Sequence, residues 1–143
     1  EKDGKEILLS ATLQLHKGSK ADIQKITEEK IAYRQARHPM EYPNVGSIFK
    51  NVALAGISLK KQKQLSGAIK TDPFPVIPAA YLISRTGVGG VSYGGAMISP
   101  KHPNFIVNTA GATAADVKAL IGLVKHRVHE QFGIELEEEV IYV

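Results

Sequence analysis

The 143-residue sequence contains no cysteine. Disulfides, thiolate catalysis and zinc–thiolate sites are therefore excluded, and the composition fits a reducing compartment. No apolar run approaches the roughly 18 residues of a membrane span. The early stretch ILLSATLQL, residues 7–15, is too short to cross a bilayer. It also lacks a small-residue cleavage pattern, so it does not read as a signal peptide. There is no internal repeat and no low-complexity segment. The histidines at positions 16, 38, 102, 126 and 129 show no metal-ligand spacing. A dense basic stripe is missing too. The net charge of +4 favours an anionic partner, but the lysines are scattered and only Lys60-Lys61-Gln62-Lys63 forms a cluster. Nucleic-acid binding asks for more than that.

What is present is an ordinary globular apolar fraction, 43%. Residues 5–16 place Ile7, Leu9, Ala11, Leu13 and Leu15 on one parity, which predicts a strand. Ser19-Lys-Ala-Asp22 resembles a capping box and predicts a helix running to about Arg37, with Ile23, Ile26 and Ala32-Tyr33 as a loose apolar stripe. HPMEYPNVG, 38–46, is loop. Ser47–Phe49 is expected as a short strand, Leu59–Lys70 as a weak helix and TDPFPVIP as a proline-rich loop. Pro78 suits the first turn of a helix, AAYLISR, that Gly87 ends. Residues 88–98 and 104–108 read as two strands. Thr113-Ala-Ala-Asp116 opens the most periodic helix, with Val117, Leu120, Ile121, Val124, Val128 and Phe132 at intervals of three and four. Gly133 stops it, and ELEEEVIYV is expected to close as a strand. The fold class is α+β: a mostly antiparallel sheet with helices packed against it.

Several motifs invite chemistry. GVGGVSYGG, Gly87–Gly95, suggests a dinucleotide fingerprint, but a helix precedes the glycines and a strand follows, the reverse of the order phosphate binding needs. A helix stop followed by bulges or close backbone approach explains it as well. His102 lies in a polar connection, as a ligand contact or a base. In Glu137-Glu138-Glu139, strand alternation puts Leu136, Glu138 and Val140 on one face and Glu137, Glu139 and Ile141 on the other. One glutamate thus lies in line with Ile141, on the face expected to be covered, and a carboxylate there must be paired or used. Arg34 and Arg37 stand one helical turn apart, as an anion clamp or as ordinary cations at a helix C-terminus. Ser47, Lys50 and Asn51 sit together in GSIFKN without a turn to explain them.

The order of these motifs carries more than any one of them. RxxR, GSIFKN, GGAMISPKHPNFIVN, GATAADV and FGIELEEEV together resemble the C-terminal part of the MurB family, the UDP-N-acetylenolpyruvoylglucosamine reductases, from about Ile7 onward. The resemblance implies a cytoplasmic flavoprotein of peptidoglycan synthesis. NADPH reduces an FAD held mainly on an N-terminal module, and the enolpyruvyl ether of UDP-N-acetylglucosamine is reduced to UDP-N-acetylmuramate. It implies Ser47 as proton donor and Glu139 as catalytic acid. Asn51, Arg37 and His102 become contacts to the substrate diphosphate, and Arg34 and Lys50 basic positions of less defined role. Lys50 is also a physical candidate for stabilising the Ser47 alkoxide. Two positions depart from the family pattern: Val52 where relatives often carry proline, and Glu138 in place of the proline of LEPEV.

On this reading residues 1–37 are the remnant of the FAD-binding module and 38–143 the substrate-binding domain. The chain alone is expected to hold neither FAD nor NADPH and to be inactive, and its strand face in 1–37 to favour dimerisation. Ser47, Asn51, His102 and Glu139 are expected to converge on one cleft. The alternative is a non-catalytic module binding a nucleotide sugar or nucleic acid, with a basic stripe around Lys60–Lys63.

Overall fold

The computed structural model describes residues 9–142. They fall into two compact units, divided between Tyr33 and Arg34. In the first unit residues 9–19 form no sheet pairing, so among the described residues the strand expected over 5–16 is not formed; residues 5–8 of that expectation lie outside them. A strand exists through its ladder, and without a partner the alternation of Leu9, Leu13 and Leu15 has nothing to bury against. All three are exposed. Helix α1, Lys20–Arg37, begins as expected, with the Asp22 N–H donating to Ser19 Oγ at 3.4 Å. Its apolar stripe is not buried: Ile23, Ile26 and Tyr33 are all exposed.

The second unit holds the core. In chain order it contains β1 (Val52–Ala53), α2 (Leu59–Gln64), β2 (Val76–Ile77), α3 (Ala79–Arg85), β3 (Ser92–Tyr93), β4 (Ala96–Ile98), β5 (Ile106–Asn108) and α4 (Ala114–Phe132). Two small antiparallel sheets, β1–β2 and β3–β4–β5, confirm the α+β class. Helix α4 lays Leu120, Ile121, Val124 and Val128 into one cluster with Leu82 and Ile83 of α3 and Ile98 of β4. Each such burial contributes about 1.5–3 kcal/mol. The start of α4 carries a reciprocal capping box between Thr113 and Asp116, and Gly133 closes it in the left-handed region at φ 56°.

Five elements of this unit differ from expectation. Ser47–Phe49 is not a strand but a single bridge at Phe49, because the Asn104 side chain, not a neighbouring strand, meets its backbone on the other flank. TDPFPVIP, expected as loop throughout, contains β2, which pairs with β1. The stretch 88–98 is a hairpin, not one strand: β3 turns back into β4 through Gly94-Gly95. A Cβ on Gly95 would sit 2.6 Å from the Ala110 oxygen, and one on Gly94 would strike the Asp116 carboxylate. The glycines are there for close backbone approach, and a carboxylate occupies the place a phosphate would need. Helix α2 ends at Gln64, and a tight turn at Ser66–Ala68 follows. The C-terminal segment makes a single bridge, Phe49 to Glu138, rather than a strand.

That bridge belongs to the arrangement that positions residues 47–51. On one flank the Glu139 N–H donates to the Ile48 oxygen at 2.8 Å, and the Lys50 N–H to the Glu137 oxygen at 2.9 Å. On the other flank stands Asn104, buried at 4% exposure. Its side chain closes on both polar groups of the Phe49 backbone. Oδ1 accepts from the Phe49 N–H at 3.0 Å and Nδ2 donates to the Phe49 oxygen at 2.9 Å. The Asn104 main-chain oxygen also accepts from the Ile48 N–H at 2.9 Å.

Removing this amide leaves two buried backbone groups unpaired, each costing about 1–3 kcal/mol. Asn104→Ala should therefore lower unfolding stability by about 2–5 kcal/mol, measured by urea denaturation. A loss below about 0.5 kcal/mol, the scale of a neutral surface change, would show that the clamp does not hold this segment.

Candidate functional site

The segment held by Asn104 forms one wall of a cavity of about 710 Å³ through Val45, Ser47 and Ile48. Helix α4 supplies a second, apolar wall with Ala114, Val117 and Ile121. The third wall is the C-terminal segment from Glu139 to Tyr142. The volume lies within the range of small-molecule sites. Two residues more than ninety positions apart, Ser47 and Glu139, thus line the same space.

Their surroundings distinguish them. Glu135 pairs with His129, Glu137 with Lys50, and Glu138 with Lys125. The Glu139 carboxylate has no hydrogen-bond or ion-pair partner among the described residues, and neither does the Ser47 hydroxyl. The alternation read from the sequence is present, but its faces are reversed. Leu136, Glu138 and Val140 turn inward, and Glu137, Glu139 and Ile141 are exposed. The carboxylate on the covered face is Glu138, and it is paired. Lys125 first, then the Tyr142 hydroxyl, hold it below the usual carboxylate range.

Lys50 does not line the Ser47 cavity. It lies three residues along an extended segment, so it projects from the opposite face; it bonds Glu137 and lines a separate cavity of about 570 Å³ together with Asn51. The Asn51 side chain is oriented there. Its Oδ1 accepts from the Ala79 N–H at 3.1 Å, which leaves the amide nitrogen as an outward donor suited to an anionic oxygen. Arg34 and Arg37 occupy the last turn of α1 and are exposed.

His102 stands elsewhere, in a ring cluster with His38 (centroids 5.3 Å apart) and Phe105 (4.7 Å). The Nδ1 atoms of both histidines are buried with no hydrogen-bond partner among the described residues. Burial first, and then the neighbouring His38, push His102 below the ordinary histidine range. The expected convergence of four residues therefore resolves into three places: Ser47 with Glu139, Asn51 with Lys50, and His102 with His38. The Lys60–Lys63 cluster gives no free stripe, because Lys61 donates to the Gly133 oxygen at 2.8 Å, at the end of α4. Among the described residues no helix is long and apolar enough to cross a membrane, and no cluster could hold a metal ion.

Sequence reasoning did not single out Asn104, Glu138 as a paired group, or Tyr142. The run NFIVN contained the first, but its partner lies 55 residues away.

The family model for the C-terminal domain of UDP-N-acetylenolpyruvoylglucosamine reductase matches residues 38–143. The chain belongs to this family. Among reductases of that name it is 38% identical over 136 residues to the one from Heliobacterium modesticaldum, covering 95% of this chain and 37% of the relative. It is 37% identical over 134 residues to the one from Fervidobacterium nodosum, covering 94% of this chain and 37% of the relative. The crystal structure of the UDP-N-acetylenolpyruvylglucosamine reductase MurB from Thermus caldophilus superposes with a TM-score of 0.56 at 30% identity, over 90% of this chain and 38% of that one. The chain thus spans little more than a third of the reductases it matches.

Within this reductase domain the histidine cluster has a pH signature. Unfolded, His102 titrates near 6.5; folded, it titrates lower. Below 6.5 the unfolded chain binds more protons, so stability is intact above that pH and declines as pH falls through the folded value. Thermal denaturation at pH 5 and 7.5 should show this decline, and His102→Gln should flatten it. An equal decline in the variant would remove His102 from the account.

Proposed function

We propose that this chain supplies the substrate grip and the proton-delivering groups of a UDP-N-acetylenolpyruvoylglucosamine reductase. The observation that carries the reading is the shared cavity of Ser47 and Glu139, two polar groups without protein partners against an otherwise apolar lining. FAD, when bound to the whole enzyme, supplies the hydride. The residues here do not fit the flavin diphosphate, since the Gly94-Gly95 turn is filled by the Asp116 carboxylate and the Ala110 and Ala112 backbone. What these residues do is bind, orient and protonate.

Addition of a hydride to one alkene carbon moves the double-bond electron pair to its neighbour, giving an enolate conjugated with the ligand carboxylate. Ser47 O–H donates its proton to that carbon, forming the new C–H bond. The resulting alkoxide regains a proton from the cavity. Glu139, which lines the same cavity, acts as the acid that returns it or hydrogen-bonds the enolate oxygen; general acid catalysis of this kind contributes about 10²–10⁴-fold. Asn51 offers its amide nitrogen to the diphosphate, with Arg34, Arg37, Lys50 and His102 as further contacts, so that remote binding fixes the geometry at the reacting carbon.

Residues 38–143 are the substrate domain in this reading, and residues 1–37 belong to the FAD-binding module. The exposed Leu9, Leu13, Leu15 and Ile23 support the second assignment. In the chain as it stands, a second copy would cover the same side chains. The purified chain should therefore run as a dimer by light scattering and carry no flavin absorbance; a clean monomer, or a stoichiometric yellow chromophore, would contradict this. For the catalytic assignment, Ser47→Ala in the whole reductase should reduce the reduction of the enolpyruvyl substrate by about 10²–10⁴-fold. Substrate affinity and flavin reduction by NADPH should be unchanged. A variant that retains activity would end the proton-donor role.

A further inference from the structure

The C-terminal wall of the cavity is secured by side chains more than by backbone. The Glu139 N–H bond to Ile48 is its last hydrogen bond to the 47–50 segment. Beyond it the Tyr142 hydroxyl donates to Glu138 Oε2 at 2.6 Å, and Lys125 Nζ donates to Glu138 Oε1 at 2.8 Å. Lys118 Nζ stands 4.5 Å from the centre of the Tyr142 ring. Lys118 and Lys125 are seven residues apart on α4 and so share one face. Residues 138 and 142 are both tied to this helix, and the lining residues Glu139, Val140 and Ile141 lie between the two ties. Glu138, first, raises the Tyr142 phenol to about 12, so the phenol keeps the proton it donates across the neutral range.

We propose that Glu138 and Tyr142 are positioning residues: with Lys118 and Lys125 they form a latch that holds residues 139–141 against the cavity and fixes the Glu139 carboxylate relative to Ser47. The proposal rests on the reading of this cavity as the receiver of the ligand's reacting end. Glu139 has no partner of its own, so its place is set by the chain that carries it. A displacement near 1 Å at a reacting group can cost about 10²-fold in rate. A latch on both sides of Glu139 removes that freedom without neutralising the carboxylate.

The test uses the chain as it is, with Glu138→Gln, Tyr142→Phe and the remote control Glu130→Gln. The glutamine keeps an acceptor but loses the charge; the phenylalanine keeps the ring but loses the hydroxyl. Amide hydrogen exchange is read first, without ligand. Both latch variants should speed exchange at Glu139 by about three- to tenfold, the scale of one lost hydrogen bond, with Leu120 and Val124 of α4 unchanged. NMR titrations then compare UDP-N-acetylmuramate, which carries the reduced side chain, with UDP-N-acetylglucosamine, which lacks it. The wild type and the control should favour the first, and the latch variants should lose that preference while binding the second equally well. Unchanged exchange at Glu139 overturns the latch. Faster exchange with the preference intact overturns its role in the site. A wild type that does not distinguish the two ligands overturns the reading of the cavity and the positioning role with it, while the exchange data separately report the latch.

Discussion

One amide side chain organises the site. Asn104 replaces a sheet partner for Phe49 by offering the acceptor and the donor that a neighbouring strand would offer. A buried peptide unit must have both groups satisfied, and at this point in the fold no continuous strand runs alongside. The residue sits in the connection from β4 to β5, two residues before β5 begins. The packing of that sheet on α4 therefore passes directly to the segment that carries Ser47. The other flank of the segment is the C-terminal chain, which brings Glu139. The cavity is the space left between these two flanks and α4.

The same logic separates the chemistry into places. An extended segment alternates its side chains, so Ser47 and Lys50 face apart. Ser47 lies beside the unpaired Glu139, and Lys50 beside Glu137 and Asn51. Two of the glutamates at 135–139 are bound to lysines and a third lies against His129, and the fourth is left to whatever enters the cavity. The proposed function draws on this division: amide and lysine on one side for a diphosphate, and on the other a largely apolar pocket with one hydroxyl and one carboxyl for the carbon that gains a proton.

Much of the frame was legible in the sequence because its signals are local. The three- and four-residue spacing of Leu120, Ile121, Val124 and Val128, with Thr113-Asp116 before it and Gly133 after it, specified α4 completely. Gly94-Gly95 carried a two-residue hairpin signal between SY and AM, but the β-forming residues around it read as continuous. The C-terminal segment showed its alternation but not which face was inward, since that depends on α4, the element it packs against. Asn104 and the Glu138–Tyr142 tie were not legible, because their meaning lies in partners distant along the chain or across a helix. The strand expected near the N-terminus failed for the complementary reason: alternation specifies a face, and a face needs something to cover it.

The account stands on Ser47 and Glu139 meeting one bound ligand. Intermolecular nuclear Overhauser effects from the lactyl methyl group of bound UDP-N-acetylmuramate to the side-chain protons of both residues would measure this directly. Contacts to both, together with α4 contacts at Val117, are the predicted result. Contacts to only one of them, or a lactyl group seated in the Lys50–Asn51 cavity, would contradict it.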